Sequence, residues 1–368
     1  PKIIIGINGT ATVDWGDGST PDTETVTGAS FTDRTFTHTF ASGGDYVVTI
    51  SADSGSYQLK GGQYGSSIFT NSASVVGGNS QYNGCVNRVE IGNNVTLGGS
   101  AFRLLKSLSS VTIPTSITIS GNYIFADCSL MFCCIPSGVA SIPNSFLRET
   151  KNLLSFSLPK SVLTIGTYFL YQSYSCRRAI FPKSMTSIGT SAFYNDYALM
   201  DLSIPVGIST IEDSFAMQTG VKKIIIPSGV TSIGAGAFST CSLLKSVTFP
   251  DTVTSIGNTA FYSDSNLEAI TLPTALTTIG QNAFYSCSAV SHVTIPATVT
   301  SIASGAFNGC YGMQELRFAG STPPTTIGSN AFGSLPTSCK IYVPSGSLSA
   351  YTSKSGMPSS STYTYIEY

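Results

Sequence analysis

Two histidines, nine cysteines and nineteen carboxylates are the groups from which any chemistry in this 368-residue chain would have to be built. A Ser/His/Asp arrangement would have to gather around His292, because His38 lies in a different region of the chain. In "VSHVTIP" strand alternation places His292 on an outward face, where an ordinary exposed histidine is expected. Asp201, Glu212 and Asp213 follow no spacing used by paired catalytic carboxylates. Phosphate loops and metal-ligand clusters find no match. Asp14 and Asp17 in "DWGDGS" suggest a calcium loop, but the further oxygen ligands and the closing glutamate of an EF-hand are missing. A tight turn whose Asp side chains accept local backbone N–H groups is the expectation there. No catalytic residue, metal site or cofactor is expected, and the chain is not expected to be an enzyme.

The cysteines make sense only in register. Proline recurs at 114, 136, 159, 182, 205, 227, 250, 273 and 296, and phenylalanine keeps the same beat at 102, 125, 146, 169, 193, 215, 238, 261, 284 and 307. A period of 22 or 23 residues carrying fixed apolar columns is the mark of a solenoid. Cys128, Cys241, Cys287 and Cys310 each follow the repeat Phe by three residues, while Cys133 and Cys176 take strand columns otherwise held by Val, Ile or Leu. Cysteine is then a small buried hydrophobe. Cys287 and Cys310 could bridge as ladder neighbours, yet free thiols are expected, with Cys134 the exposed one.

Within a unit such as "NLEAITLP", apolar residues at 267, 270 and 272 precede Pro273. The alternation around Thr271 predicts one short inward-facing strand per repeat, and proline, lacking an N–H, ends it. The second half, "TTIGQNAFYSCS", returns through Ile279, Ala283 and Phe284, with Gly280 at a tight bend. Too few residues remain for a long helix.

Composition narrows the partners. Eighteen basic against nineteen acidic residues give a net charge of −1, which excludes the field that binds a phosphate backbone, so nucleic acid is not expected. No apolar run reaches the roughly 18 residues that span a bilayer, and "PKIIIGING" lacks the order of a signal peptide. No membrane insertion is expected, and any export signal or anchor is expected outside this sequence.

The unit L-x-x-V/I-x-I/L-P-x-x-V-T-S-I-G-x-x-A-F-x-x-C resembles the 23-residue leucine-rich repeat of BspA-like bacterial surface proteins, over residues 86–343. The resemblance implies a right-handed repeat solenoid with one short parallel strand and a turn or 3-10 return per repeat. It also implies adhesion or matrix binding. Residues 1–53 resemble a PKD-like β-sandwich module, a small all-β domain, on Trp15, Gly16, Asp17, Gly18, His38, Phe40, Tyr46, Val48 and Ile50. Residues 54–85 are expected to hold the junction and the solenoid's N-terminal cap, and 344–368 the C-terminal cap. In that cap Ser347 to Ser353 would form a short helix with Leu348 and Tyr351 packing down. Similar tails close other proteins of this repeat type, so a natural C-terminus is expected at Tyr368.

Two surfaces are candidates for binding. Positions four and two before each proline face out of the sheet, and Arg178, Ile180, Asp201, Lys223 and Ile225 combine charge with aliphatic area there. Equally, Arg178, Asp201 and Lys223 could only pair across neighbouring strands. The second surface is the tyrosine row Tyr194, Tyr262 and Tyr285 beside the repeat Phe, which could bind glycan or protein, or fill gaps between turns. The expectation is an extracellular or bacterial cell-surface protein, monomeric, that binds a protein or glycan ligand on a host or neighbouring cell. The alternative is a structural or receptor-binding component of a larger assembly such as a phage tail.

Overall fold

The computed structural model describes residues 2–15, 17–26, 32–37, 47–59, 69–70, 88–91 and 95–368. They fall into two units, Pro1–Arg177 and Arg178–Tyr368. Both carry parallel strands stacked turn upon turn and joined by short turns rather than helices, and the first unit also holds an antiparallel opening.

The first unit opens on a long strand, Lys2–Asp14, that pairs antiparallel with Asp22–Val26, Thr32–Thr37, Val47–Leu59 and Phe69–Thr70. Trp15 is fully buried at its end and donates its indole N–H to Asp22 Oδ2 at 2.7 Å. Asp17 Oδ1 accepts the Ser19 N–H at 3.0 Å, so "DWGDGS" is the side-chain-closed turn the sequence predicts. Gly16, His38, Phe40 and Tyr46 lie outside the described residues. Strand Val47–Leu59 then pairs in parallel with Arg88–Ile91 and Val95–Leu97, and these continue to Ser110–Thr112 and Thr118–Ile119. The antiparallel opening and the first repeats therefore share one sheet.

Each repeat carries two strands, not the single one expected. In the second unit a front row includes Lys223–Ile225, Ser246–Thr248 and Ala269–Ile270. A back row runs Thr210–Ile211, Ser232–Ile233, Ser255–Ile256, Thr278–Ile279, Ser301–Ile302 and Thr326–Ile327. The reason lies in "PDTVTSI": the Pro250 carbonyl accepts the Val253 N–H and closes a turn, after which buried Val253 and Ile256 flank a second extended run. Proline thus ends one strand and opens the turn into the next.

The return also differs from expectation in how it bends. Thr259, Phe261 and Ser263 donate their N–H groups to the carbonyls of Gln281, Ala283 and Tyr285 in the next turn, each at 2.8 Å. Holding all three donors in one direction requires left-handed residues at Thr259 (φ 53°) and Ser263 (φ 58°). That conformation costs a non-glycine residue about 1–2 kcal/mol, which the satisfied ladder offsets. Gly280 is not among the positive-φ residues. A Cβ on it would lie 2.5 Å from the Gly257 carbonyl carbon, and one on Gly257 would lie 2.7 Å from that of Gly234. Gly257 and Gly280 allow turns to approach, and the left-handed bend falls elsewhere, mostly on Ser, Thr, Asn and Gln and at Gly236, Gly305 and Gly309 on glycine.

The core is a set of columns. In the second unit Phe238, Phe261, Phe284 and Phe307 are fully buried and stack face to face at 5.5, 5.3 and 5.2 Å. In the first unit Phe102 and Phe125 stack in the same way at 5.2 Å. Each buried ring is worth roughly 1.5–3 kcal/mol relative to exposure. At the C-terminal end Tyr351 is buried against Phe318, with ring centroids 4.9 Å apart, and its hydroxyl donates to the Gly320 and Thr322 carbonyls. It sits on a helix, Leu348–Thr352, and Thr364–Glu367 adds the last parallel strand beside Lys340–Val343. Leu348 is 37% exposed, so Tyr351 caps the core without it.

Candidate functional site

Front strands have buried residues on one side and a readable row on the other. In the first unit Phe132, Cys134, Ser155 and Ser157 face outward and are exposed, while Cys133 between two of them is buried. In the second unit Arg178, Ile180, Asp201, Ser203, Lys223, Ile225 and Thr248 are exposed, with Ala179, Leu202, Ile224 and Val247 beneath them. The alternation read from the sequence thus holds, and all five residues proposed for the sheet surface lie on one face of the second unit.

Their mutual contacts divide them. Parallel pairing sets Arg178 opposite Asp201, and Arg178 Nε meets Asp201 Oδ2 at 2.9 Å. The side chains are 67% and 58% exposed, so the pair is worth under about 1 kcal/mol. Lys223, one turn further, has no ion-pair partner among the described residues. Ile180 and Ile225 leave 52% and 58% of their surface in water, which the core does not require.

The tyrosine row is differently placed. Tyr194, Tyr262 and Tyr285 are half-buried, and Tyr262 and Tyr285 stack on each other at 5.1 Å with planes 6° apart. Rings that turn their faces to one another present mainly edges and hydroxyls to water. Tyr197 and Tyr311, at 58% and 64% exposure, are the open ones.

His292 lies on the strand His292–Ile295, exposed, with Nδ1 2.8 Å from Ser291 Oγ. Both line an open cleft of about 610 Å³ together with Glu268, Thr271, Leu272 and Thr294. Register places Glu315 opposite His292, yet no carboxylate bonds the imidazole among the described residues. The adjacent Ser–His contact therefore lacks the third group that would orient the ring for proton transfer.

Beneath the surface the column three residues after the repeat Phe is polar, and its side chains bond the previous turn. The thiols of Cys128, Cys287 and Cys310 donate to the carbonyls of Phe102, Phe261 and Phe284 at 2.9, 3.1 and 3.3 Å, and Ser173, four residues after its Phe, likewise donates its Oγ–H to Leu147 O at 3.0 Å. The eight cysteines among the described residues are free thiols, with Cys134 exposed and the other seven buried. Burial pushes the Cys133 and Cys310 thiols up to about 12, so they stay protonated and unreactive.

Two features escaped the sequence reading. Asp264 occupies that same column, fully buried, with Oδ1 accepting the Cys241 N–H at 2.8 Å and burial raising its carboxyl well above the usual range. Its place in the cysteine register was the available signal. Arg177, Lys222 and Lys245 lie one residue before the front strands, all exposed, and the dipeptides at 177–178 and 222–223 share one register.

Paired rows of short parallel strands, apolar columns and a turn-rich return define a β-solenoid of the leucine-rich repeat class. The chain belongs to the family described as BspA type Leucine rich repeat region, whose profile matches residues 74–200 and 208–340 in six copies. A leucine-rich repeat protein of Bacteroides ovatus is similar over 77% of this chain and 84% of its own, at 22% identity and a TM-score of 0.54. The pneumococcal vaccine antigen PcpA is similar over 84% of each chain, at 14% identity and a TM-score of 0.54. At these identities the likeness is one of fold. No curated protein matches the sequence. No helix among the described residues is long and apolar enough to cross a membrane.

Proposed function

We propose that this chain is the ligand-binding part of a bacterial surface protein, and that it recognises its ligand on the outward face of the front strands in the second unit. The observation that carries the reading is the concentration there of Ile180 and Ile225, each more than half exposed, beside the ion pair Arg178–Asp201 and Lys223, which pairs with no acid among the described residues. A sheet that only had to be soluble would show small polar residues at these positions, as at Ser203 and Thr248. Exposed aliphatic area rimmed by charge is what interfaces use. Similarity to a bacterial vaccine antigen supports exposure to a host. Residues 1–53 are read as a PKD-like spacer, 86–343 as the repeat array and 344–368 as its cap.

The test is an array of glycans and matrix proteins probed with the whole chain, followed by Ile180→Ser/Ile225→Ser. Loss of at least tenfold in affinity for the captured ligand, about 1.4 kcal/mol, supports the site. Undiminished binding places the ligand elsewhere, and no ligand at all favours a structural component of a larger assembly.

A further inference from the structure

We infer that the ligand of this face is an anionic polysaccharide, held by a cationic grid of Arg178, Lys222, Lys223 and Lys245 in the second unit. The inference rests on the proposed surface and adds the chemistry of what it binds. The chain as a whole is nearly neutral, so its composition hides this feature. The repeat supplies it, because a period of 22 to 23 residues returns equivalent positions to adjacent sites. Arg178 and Lys223 stand at one position of the repeat, with Asp201 on the turn between and Lys222 beside Lys223. Lys245 follows Lys222 directly, its N–H bonded to the Lys222 carbonyl at 2.9 Å. At about 4.8 Å per stacked strand, Arg178 and Lys223 are set roughly 10 Å apart.

The acids nearby neutralise only part of this. Asp201 pairs with Arg178, and Glu268 meets Lys245 at 3.5 Å in a pair whose side chains are both 65% exposed. Lys222 and Lys223 have no ion-pair partner among the described residues, and both are exposed. These two cations, with the exposed pairs of Arg178 and Lys245 on either side along the stacking direction, suit a stiff chain bearing anionic groups at intervals.

A polysaccharide is favoured over an acidic peptide by what else is present. The strands beneath the grid spend their backbone groups on one another, as in Lys223–Ile225 with Ser246–Thr248, so an added peptide strand has no ladder to join here. The open cleft reaches from Glu268, the partner of Lys245, to Thr298, and its rim carries the hydroxyls of Thr271, Ser291 and Thr294. Interspersed hydroxyls of Ser203, Ser246 and Thr248 can meet sugar hydroxyls instead.

The probe is immobilised heparin, a sulfated polysaccharide, with neutral dextran and polyglutamate as comparisons, at about 0.1 M salt and above. The chain should bind heparin, weaken steeply as salt rises, and ignore dextran. Lys222→Ser/Lys223→Ser should lose at least tenfold, and Lys106→Ser/Lys340→Ser, which removes the same charge elsewhere, should lose less than twofold. No binding to heparin, equal losses in the two variants, or equal binding of polyglutamate would overturn the inference. If heparin fails while an array ligand still depends on Ile180 and Ile225, the surface stands and only its assigned chemistry falls.

Discussion

Replacing Asp264 by Asn should make the second unit less stable in acid and more stable at neutral pH. Asp264 is fully buried between the column thiols of Cys241 and Cys287, and one oxygen, Oδ1, accepts the Cys241 N–H while Oδ2 finds no partner as an acceptor. Its neighbours in the column all donate to the carbonyl of the previous turn's Phe or its equivalent, as Cys287 does to Phe261. A neutral carboxylic acid could make the same bond to Phe238, whereas a carboxylate could not. In the unfolded chain the group titrates near 3.8, and burial raises its folded value well above that. The sign follows: above the unfolded value the unfolded chain releases a proton that the native chain keeps, so stability falls as pH rises. The slope is at most about 1.4 kcal/mol per pH unit and applies from the unfolded value up to the raised folded one. Asn keeps the Cys241 bond and does not titrate, but it leaves one amide hydrogen unpaired at a cost of about 1 kcal/mol. The two stability curves should therefore cross between pH 4 and 7. Urea unfolding across that range, together with hydrogen exchange at the Cys241 amide, measures it. Parallel curves for the native chain and Asp264→Asn would refute the neutral-acid reasoning.

Other outcomes follow from the same contacts. Arg178→Ser/Lys223→Ser should weaken a captured ligand at least tenfold, about 1.4 kcal/mol, with little change in melting temperature; if Tyr262→Ser/Tyr285→Ser abolishes binding instead, the tyrosine row is the site. Alkylation of the native chain without reductant should modify Cys134 and spare the buried cysteines, which should react after unfolding; four closed bridges by intact mass would contradict the thiol assignment. Gly257→Ala should destabilise by about 1–3 kcal/mol, because its Cβ would meet backbone 2.7 Å away, and an unchanged melting temperature would remove the close-approach argument.

The front strands were legible because two residue types mark them from outside and inside: proline where a strand ends, phenylalanine where the return enters the core. The back strands were not. Ser255–Ile256 and its equivalents are only two residues long, too short for alternation to register against a turn. The return was misread for a different reason. A tight bend is expected at Gly280 from its residue type, whereas the ladder of inter-turn bonds places left-handed backbone on Thr259, Ser263, Asn282 and Ser286. A hydrogen-bond requirement spread over neighbouring turns leaves no local signature. Asp264 was missed because a column was named after its commonest occupant. Cys, Ser and Asp share one geometric task, a short side chain carrying a proton to a carbonyl, and the task defines the column better than hydrophobicity does.

The same reasoning separates what the repeat dictates from what it leaves free. Inward positions answer to the neighbour above and below, so Phe261 must match Phe238 and Phe284 at about the spacing their rings show. Outward positions answer only to water, and a departure there needs another cause. Ser at 203 and Thr at 248 need none; Ile at 180 and 225 does, because an exposed isoleucine gains nothing for the fold. The dibasic step at 222–223 needs one as well, since neither Lys222 nor Lys223 is used to close an ion pair among the described residues. The two isoleucines stand two turns apart on a single face, with the dibasic step beside the second. A ligand that touched only one turn would require one of them, and a ligand laid across the stack requires both.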